Sequence, residues 1–171
     1  MAIRPIVKWG DPVLHAPAAP VAERDDSLRT LFRDMVETMY AAPGIGLAAP
    51  QIGVPLRVIV IDLSVGKDPS QLIQLYNPEF LSREGEQKED EGCLSIPGHY
   101  GSPARPAKVV VRGLDPDGVE RTFTATELLA RAFCHEIDHI DGLLFVDRLS
   151  PLKRDLVKRK LRKKAKAGWD E

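Results

Sequence analysis

The sequence predicts an α+β fold: antiparallel or mixed β-sheets packed around a central helix that carries His-Glu-x-x-His, with an amphipathic helix before them and a basic helix after. Three observations predict it. The elements run helix, several strands, helix, helix, instead of alternating strand and helix. The strand candidates are short and rich in β-branched residues, and two of them flank strong turn chemistry. No internal repeat or low-complexity linker interrupts the 171 residues, so residues 1–171 read as a single domain with a basic helix or tail over 152–171.

Residues 1–24 are rich in Pro and Ala and read as an extended segment running over the surface. From Ser27, the apolar residues Leu28, Leu31, Phe32, Met35, Val36 and Met39 recur at helical spacing, with Asp25, Asp26 or Ser27 available as N-cap. Pro43-Gly44 ends that helix near Ala41. Residues 57–63 form a β-branched run of strand length, buried on both faces. Residues 72–81 are a weaker strand candidate, broken at Asn77-Pro78. Residues 108–112 and 119–123 flank Asp115-Pro-Asp-Gly118, which predicts a hairpin. Thr124-Ala-Thr-Glu127 has capping-box spacing, and helical periodicity runs from there to about Asp141, with Gly142 as the C′ residue. Ser150-Pro151 opens the last helix, which sets Leu152, Leu156, Val157 and Leu161 on one side.

Composition excludes several classes. No apolar run is long enough to span a bilayer, and the first residues lack the pattern of a signal peptide, so a cytoplasmic protein without membrane contact is expected. Two cysteines, Cys93 and Cys134, are too few for a disulfide framework. The net charge of −1 conceals an asymmetry. From Leu152 onward nine Lys/Arg stand against three Asp/Glu, a surplus of +6 that leaves −7 on the preceding residues. An acidic body argues against nucleic-acid binding by the whole chain, whereas the basic tail suits local contact with RNA or another anionic surface.

The chemistry concentrates in three segments. In His135-Glu136-Ile137-Asp138-His139 the histidines lie four apart on a predicted helix, so both project from one face and can hold one divalent metal, with Glu136 close enough to serve a metal-bound water. Taken alone, the motif also fits a helix that merely carries polar residues. A catalytic metal needs a third protein ligand, for which Cys93, a carboxylate or another His are the candidates. His15 reads as solvent-exposed or locally packed, and His99 as a surface residue in a loop, with contact to substrate as its alternative. Cys93 lies in Glu91-Gly92-Cys93-Leu94-Ser95, where Gly92 allows close backbone approach and the thiol would bind a cation as thiolate; its alternative is a small buried apolar side chain. Cys134 takes that second reading, since it points about 100° around the helix from His135. The third segment, Gly44-Ile-Gly-Leu-Ala-Ala-Pro-Gln51, crowds small residues around one amide and lacks the Gly-Lys-Ser/Thr of a phosphate loop.

In that order, the three segments resemble the motifs of the peptide deformylase family, and the likeness spans most of the chain. Ile96-Pro97-Gly98 and Leu149-Ser-Pro-Leu-Lys153 are similar to the bacterial form. The resemblance implies that Cys93, His135 and His139 bind a metal, with Fe(II) first and Zn, Ni or Co as substitutes. It implies hydrolysis of the N-formyl group from formyl-methionyl nascent peptides through a metal-bound water, with Glu136 as general acid/base. Gln51 and the Leu94 backbone N–H would donate to the developing oxyanion, and Gly46 would let the backbone approach the substrate. Ile45, Gly92, Arg131 and Ala132 are the candidates for the substrate pocket, the last two because they share the helix face of His135; the alternative leaves Ala132 in the core and Arg131 exposed. Glu91 is expected to pair with Arg105 and fix the loop of Cys93. A monomer with a ribosome contact through the basic helix completes the expectation.

Two other functions compete. A zinc endopeptidase also uses His-Glu-x-x-His, but Cys93 stands where its third ligand would, and Asp138 and Asp141 are too near on the same helix. A ribosome- or RNA-associated binding protein with a closed structural metal would have no use for Gln51 beside a general base.

Overall fold

The computed structural model describes residues 2–169. Helix α1 spans Asp26–Ala41, and the Asp25 side chain caps it by accepting from the Leu28 N–H at 3.1 Å. Its periodic residues Leu28, Leu31, Phe32, Met35 and Met39 are buried, each contributing roughly 1.5–3 kcal/mol of transfer free energy. Strands β1 (Gly46–Ala48), β2 (Val58–Ile61) and β3 (Ile73–Glu84) follow. Then come the short strands β4 (Gln87–Lys88), β5 (Glu91–Cys93), β6 (Ile96–Gly101) and β7 (Ala104–Arg105), and the hairpin of β8 (Lys108–Leu114) and β9 (Glu120–Thr126). Helices α2 (Glu127–Ile140) and α3 (Pro151–Ala167) complete the order.

All named strand pairs are antiparallel: a five-stranded sheet of order β1-β2-β3-β8-β9 and two small sheets, β4 with β7 and β5 with β6. The β2 side chains explain the layering. Val58 and Val60 join the α1 core, while Ile59 and Ile61 point to the other face and join Phe133, Ile137 and Ile140 of α2. The continuous apolar run is therefore a strand covered by a helix on each side. A third cluster gathers Leu14, Ile96, Phe145, Leu149 and Leu161. Among the described residues no helix is long and apolar enough to cross a membrane.

Four expectations change. The predicted break at Asn77-Pro78 is a bulge inside one long strand: Asn77 takes φ 51°, and the register with β8 shifts between Tyr76 and Glu79. The capping box at Thr124 does not form. Strand β9 stays in register through Thr126 opposite Lys108, and Thr126 is the N-cap without a side-chain hydrogen bond, because its backbone is already committed to the ladder. In α3 the four apolar residues do not share one packed side: Leu161 is buried and Val157 packs beside it, while Leu152 and Leu156 face solvent. The N-terminal segment is not wholly superficial, since Leu14 and Ala18 are buried. Gly142 does end α2 as expected: with φ +83° it donates to the His139 carbonyl, and Leu143 N–H reaches back to Asp138.

Candidate metal centre and substrate cleft

Helix α2 presents His135 and His139 one turn apart, with ring centroids separated by 5.0 Å. Strand β5 ends at Cys93, whose Sγ lies 3.3 Å from His139 Nε2. One donor atom from each of Cys93, His135 and His139 falls within 4.8 Å of the others, close enough to share a metal ion. The electrostatics fit a cation. Although burial lowers the proton affinity of His135, the charge of Glu136 and hydrogen bonds to Cys93 and Glu91 outweigh it and hold the group well above 6.5. Burial, reinforced by repulsion from His135, keeps His139 well below 6.5 and hence neutral, the form a ligand needs.

Glu136 follows His135 on the inner side of α2 and is 4% exposed. Burial pushes its carboxyl up to about 7, and its Oε1 has no hydrogen-bond partner. Gly46 lies directly against it, so that a Cβ at that position would overlap Glu136 Oε2. The expected reason for this glycine, backbone approach to substrate, is thus joined by a nearer one: it clears the carboxylate. Gln51 sits in the short 3-10 turn Ala49–Ile52 that follows β1. Its Oε1 accepts from Ala48 N–H at 3.0 Å, which turns Nε2 toward Ser95 Oγ (3.2 Å) and Cys93 Sγ (3.6 Å).

Glu91 and Arg105 do pair, with Nε and Nη2 each 2.9 Å from a Glu91 oxygen. The same carboxylate meets His135 Nδ1 at 2.9 Å. Burial would raise the Glu91 carboxyl, but the hydrogen bonds to His135 and Arg105 win and hold it at about 2. With Nδ1 engaged in this way, Nε2 is the His135 nitrogen left available to a metal ion.

A cleft of about 760 Å³ opens over these groups. Its lining includes Ile45, Gly46, Gln51, Gly92, Leu94, Arg131, Ala132 and Glu136, so every sequence-predicted site residue outside the metal ligands reaches it. Arg131 is neither fully exposed nor free: its Nη1 donates to Gln87 Oε1 at 2.8 Å. Gly92 makes room for the Tyr100 ring, which a Cβ would meet at 2.8 Å. His99 is partly exposed and also lines the cleft, because β6 pairs back on β5 and brings it there. Tyr100 and Leu128 escaped the sequence reading as cleft residues, and the buried Ser95, though inside the Glu91–Ser95 motif, was given no role there. His15 is exposed, and Cys134 is buried with its thiol pushed up to about 11 by burial.

The convergence of one cysteine sulfur and two imidazoles under an open cleft fits a class: proteins that can present a metal ion to a ligand entering from solvent. Comparison with known proteins narrows the class. The polypeptide deformylase profile matches residues 3–155. A peptide deformylase from Acidobacterium capsulatum is 55% identical over 168 residues, covering 98% of this chain and 99% of the relative. Another, from Thermodesulfovibrio yellowstonii, is 49% identical over 96% of this chain and 99% of its own. The crystal structure of a peptide deformylase from Legionella pneumophila aligns with a TM-score of 0.90 at 48% identity, covering 99% of each chain. The chain belongs to the polypeptide deformylase family.

Proposed function

We propose that the protein hydrolyses the N-formyl group from formyl-methionyl N-termini of newly made peptides, releasing formate. The observation that carries this reading is the meeting of three metal donors, the buried carboxylate of Glu136 and the oriented amide of Gln51 at one end of the cleft, in a chain of this family. Cys93, His135 and His139 would hold the ion. Bound there, a divalent cation supplies Lewis-acid activation of water near neutral pH. Fe(II) is the first choice, with Zn, Ni or Co as substitutes, since sulfur plus two imidazoles suits any of them.

The chain's own residues do the rest. Glu136 takes a proton from the attacking water and returns it to the leaving amine. The free Oε1 suits that traffic, and Gly46 keeps the carboxylate in place. Gln51 Nε2 and the Leu94 N–H donate to the formyl oxygen as charge develops on it. Ile45, Gly92, Arg131 and Ala132 wall the methionine side chain, with the Arg131 guanidinium held by Gln87. Residues 1–171 act as one domain, with the helix bearing His135 and His139 at its centre, as a cytoplasmic monomer whose basic α3 contacts the ribosome. Because Leu161 is buried, truncating α3 would open the core. Replacing exposed Arg159, Lys163 and Lys166 by Gln should instead weaken ribosome cosedimentation while sparing hydrolysis of a short peptide.

The direct test is anaerobic incubation of the Fe(II)-loaded protein with formyl-Met-Ala-Ser and an assay for formate. Release by wild type and a loss of roughly 10²–10⁴-fold in Glu136→Ala, with metal retained, is the expected result. Folded, metal-loaded wild type that releases no formate sinks the reading. Cleavage of internal peptide bonds instead would favour an endopeptidase, and a tightly held metal with neither activity a structural site.

A further inference from the structure

A chain of charged side chains leads from His135 to the surface. His135 Nδ1 meets Glu91, and Arg105 grips Glu91 with two donors. The third arm of Arg105, Nη1, turns the opposite way and donates to Asp138 Oδ2. Arg148 closes the series: its Nη2 donates to Asp138 Oδ1 at 3.0 Å, and its Nε reaches Oδ2 at 3.3 Å. Glu91, Arg105 and Asp138 are buried, whereas the Arg148 side chain is 46% exposed. Two carboxylates thus balance two guanidiniums. The short turn Phe145–Arg148 touches the same histidine a second time, since the Phe145 ring stacks on His135 at 6.4 Å and 22°.

We propose that Arg148 is a positioning residue for the metal centre, holding Asp138 so that Arg105 can keep both forward donors on Glu91 and Glu91 can fix His135. Asp138 Oδ1 is bonded by Arg148, and a buried carboxylate oxygen deprived of its donor costs free energy. Without Arg148, Asp138 and Glu91 must share the single guanidinium of Arg105. Arg105 is then drawn toward Asp138, its two-pronged grip on Glu91 loosens, and the imidazole loses the restraint that aims Nε2 at the ion. Partners of metal ligands are typically worth 10–100-fold in metal affinity. Arg148 acts through Asp138, Arg105 and Glu91, so its effect falls at the lower end of that range.

This inference rests on the reading of Cys93, His135 and His139 as ligands, and one experiment separates the two. The full-length protein is loaded with Co(II), and its visible spectrum and its rate of cobalt release to a chelator are recorded for wild type, Arg148→Leu and Arg148→Lys. Circular dichroism confirms folding. Arg148→Leu should release cobalt about tenfold faster, with an altered absorption band, and Arg148→Lys should recover part of the loss by restoring the charge without the fork. Should Arg148→Leu not fold, Arg148→Gln is judged by the same two readouts. Wild type that holds cobalt while the folded variant matches it in rate and spectrum overturns this inference alone. Wild type that takes up no cobalt overturns the ligand assignment and this inference with it.

Discussion

Helices α2 and α3 are similar in length, 14 and 17 residues, yet they treat charge in opposite ways. α2 buries nine residues, among them Glu136, Asp138 and His139, whereas in α3 Leu161 alone is buried. A charge removed from water needs a specific partner, and Asp138 on α2 draws both of its partners from other elements: Arg105 from β7 and Arg148 from the turn before α3. Apart from Lys158, which pairs with the partly buried Asp147 at 2.8 Å, and the partly buried Arg154, the charges of α3 stay solvated, where a pair is worth about 0–1 kcal/mol and its identity matters little to the fold. One helix is specified residue by residue, the other by net charge and one anchor.

The comparison breaks first at Arg105. Arg105→Ala strands Glu91 and Asp138 without their common cation and should lower stability by about 3–5 kcal/mol in denaturant unfolding, with weaker metal retention. A loss below about 1 kcal/mol would show that water can replace the guanidinium, and the contrast between the helices would fall. Gly46→Ala probes the wall opposite α2. Its new methyl must displace the Glu136 carboxylate, so kcat/KM for formyl-Met-Ala-Ser should fall about 100-fold with the fold intact by circular dichroism. Leu161→Ala removes the anchor of α3 and should cost about 2 kcal/mol, the low end for a buried leucine, because a peripheral helix can settle into the space. Least affected should be Leu152→Gln and Leu156→Gln, each within about 0.5 kcal/mol of wild type by thermal melting. A larger effect would mean that these exposed leucines are covered in solution.

What could be read from the sequence follows the same division. α1, β2 and the β8–β9 hairpin were legible because their signals are local: a helical period, a β-branched run, a turn sequence. Strands of two or three residues, such as β4, β5 and β7, carry no period and exist because pairing partners are brought to them. The periodicity of α3 overstated its packing, since spacing says which residues share a side but not whether anything lies opposite. The three motifs pointed to the residues that now meet in space, and the charge complementarity of Glu91 and Arg105 was visible too. Asp138 with Arg148, Ser95 with Gln51, and Tyr100 over Gly92 were not, because each depends on a crossing that only the tertiary fold creates.

The bulge at Asn77 has a consequence for motion. The Asn77 side-chain oxygen accepts from Val21 N–H at 2.8 Å, and its amide nitrogen donates to the Val21 carbonyl at 3.0 Å. Asn77 N–H itself bonds the Arg57 carbonyl at 2.8 Å. An irregular stretch of chain is thereby tied into the middle of the sheet as if it were another rung. In hydrogen exchange the Val21 amide should therefore be as slow as its β3 neighbours, opening with the sheet and not by fraying of the arm. The interruption of β3 serves as a rivet, and the leading segment cannot lift away until the strands beneath it part.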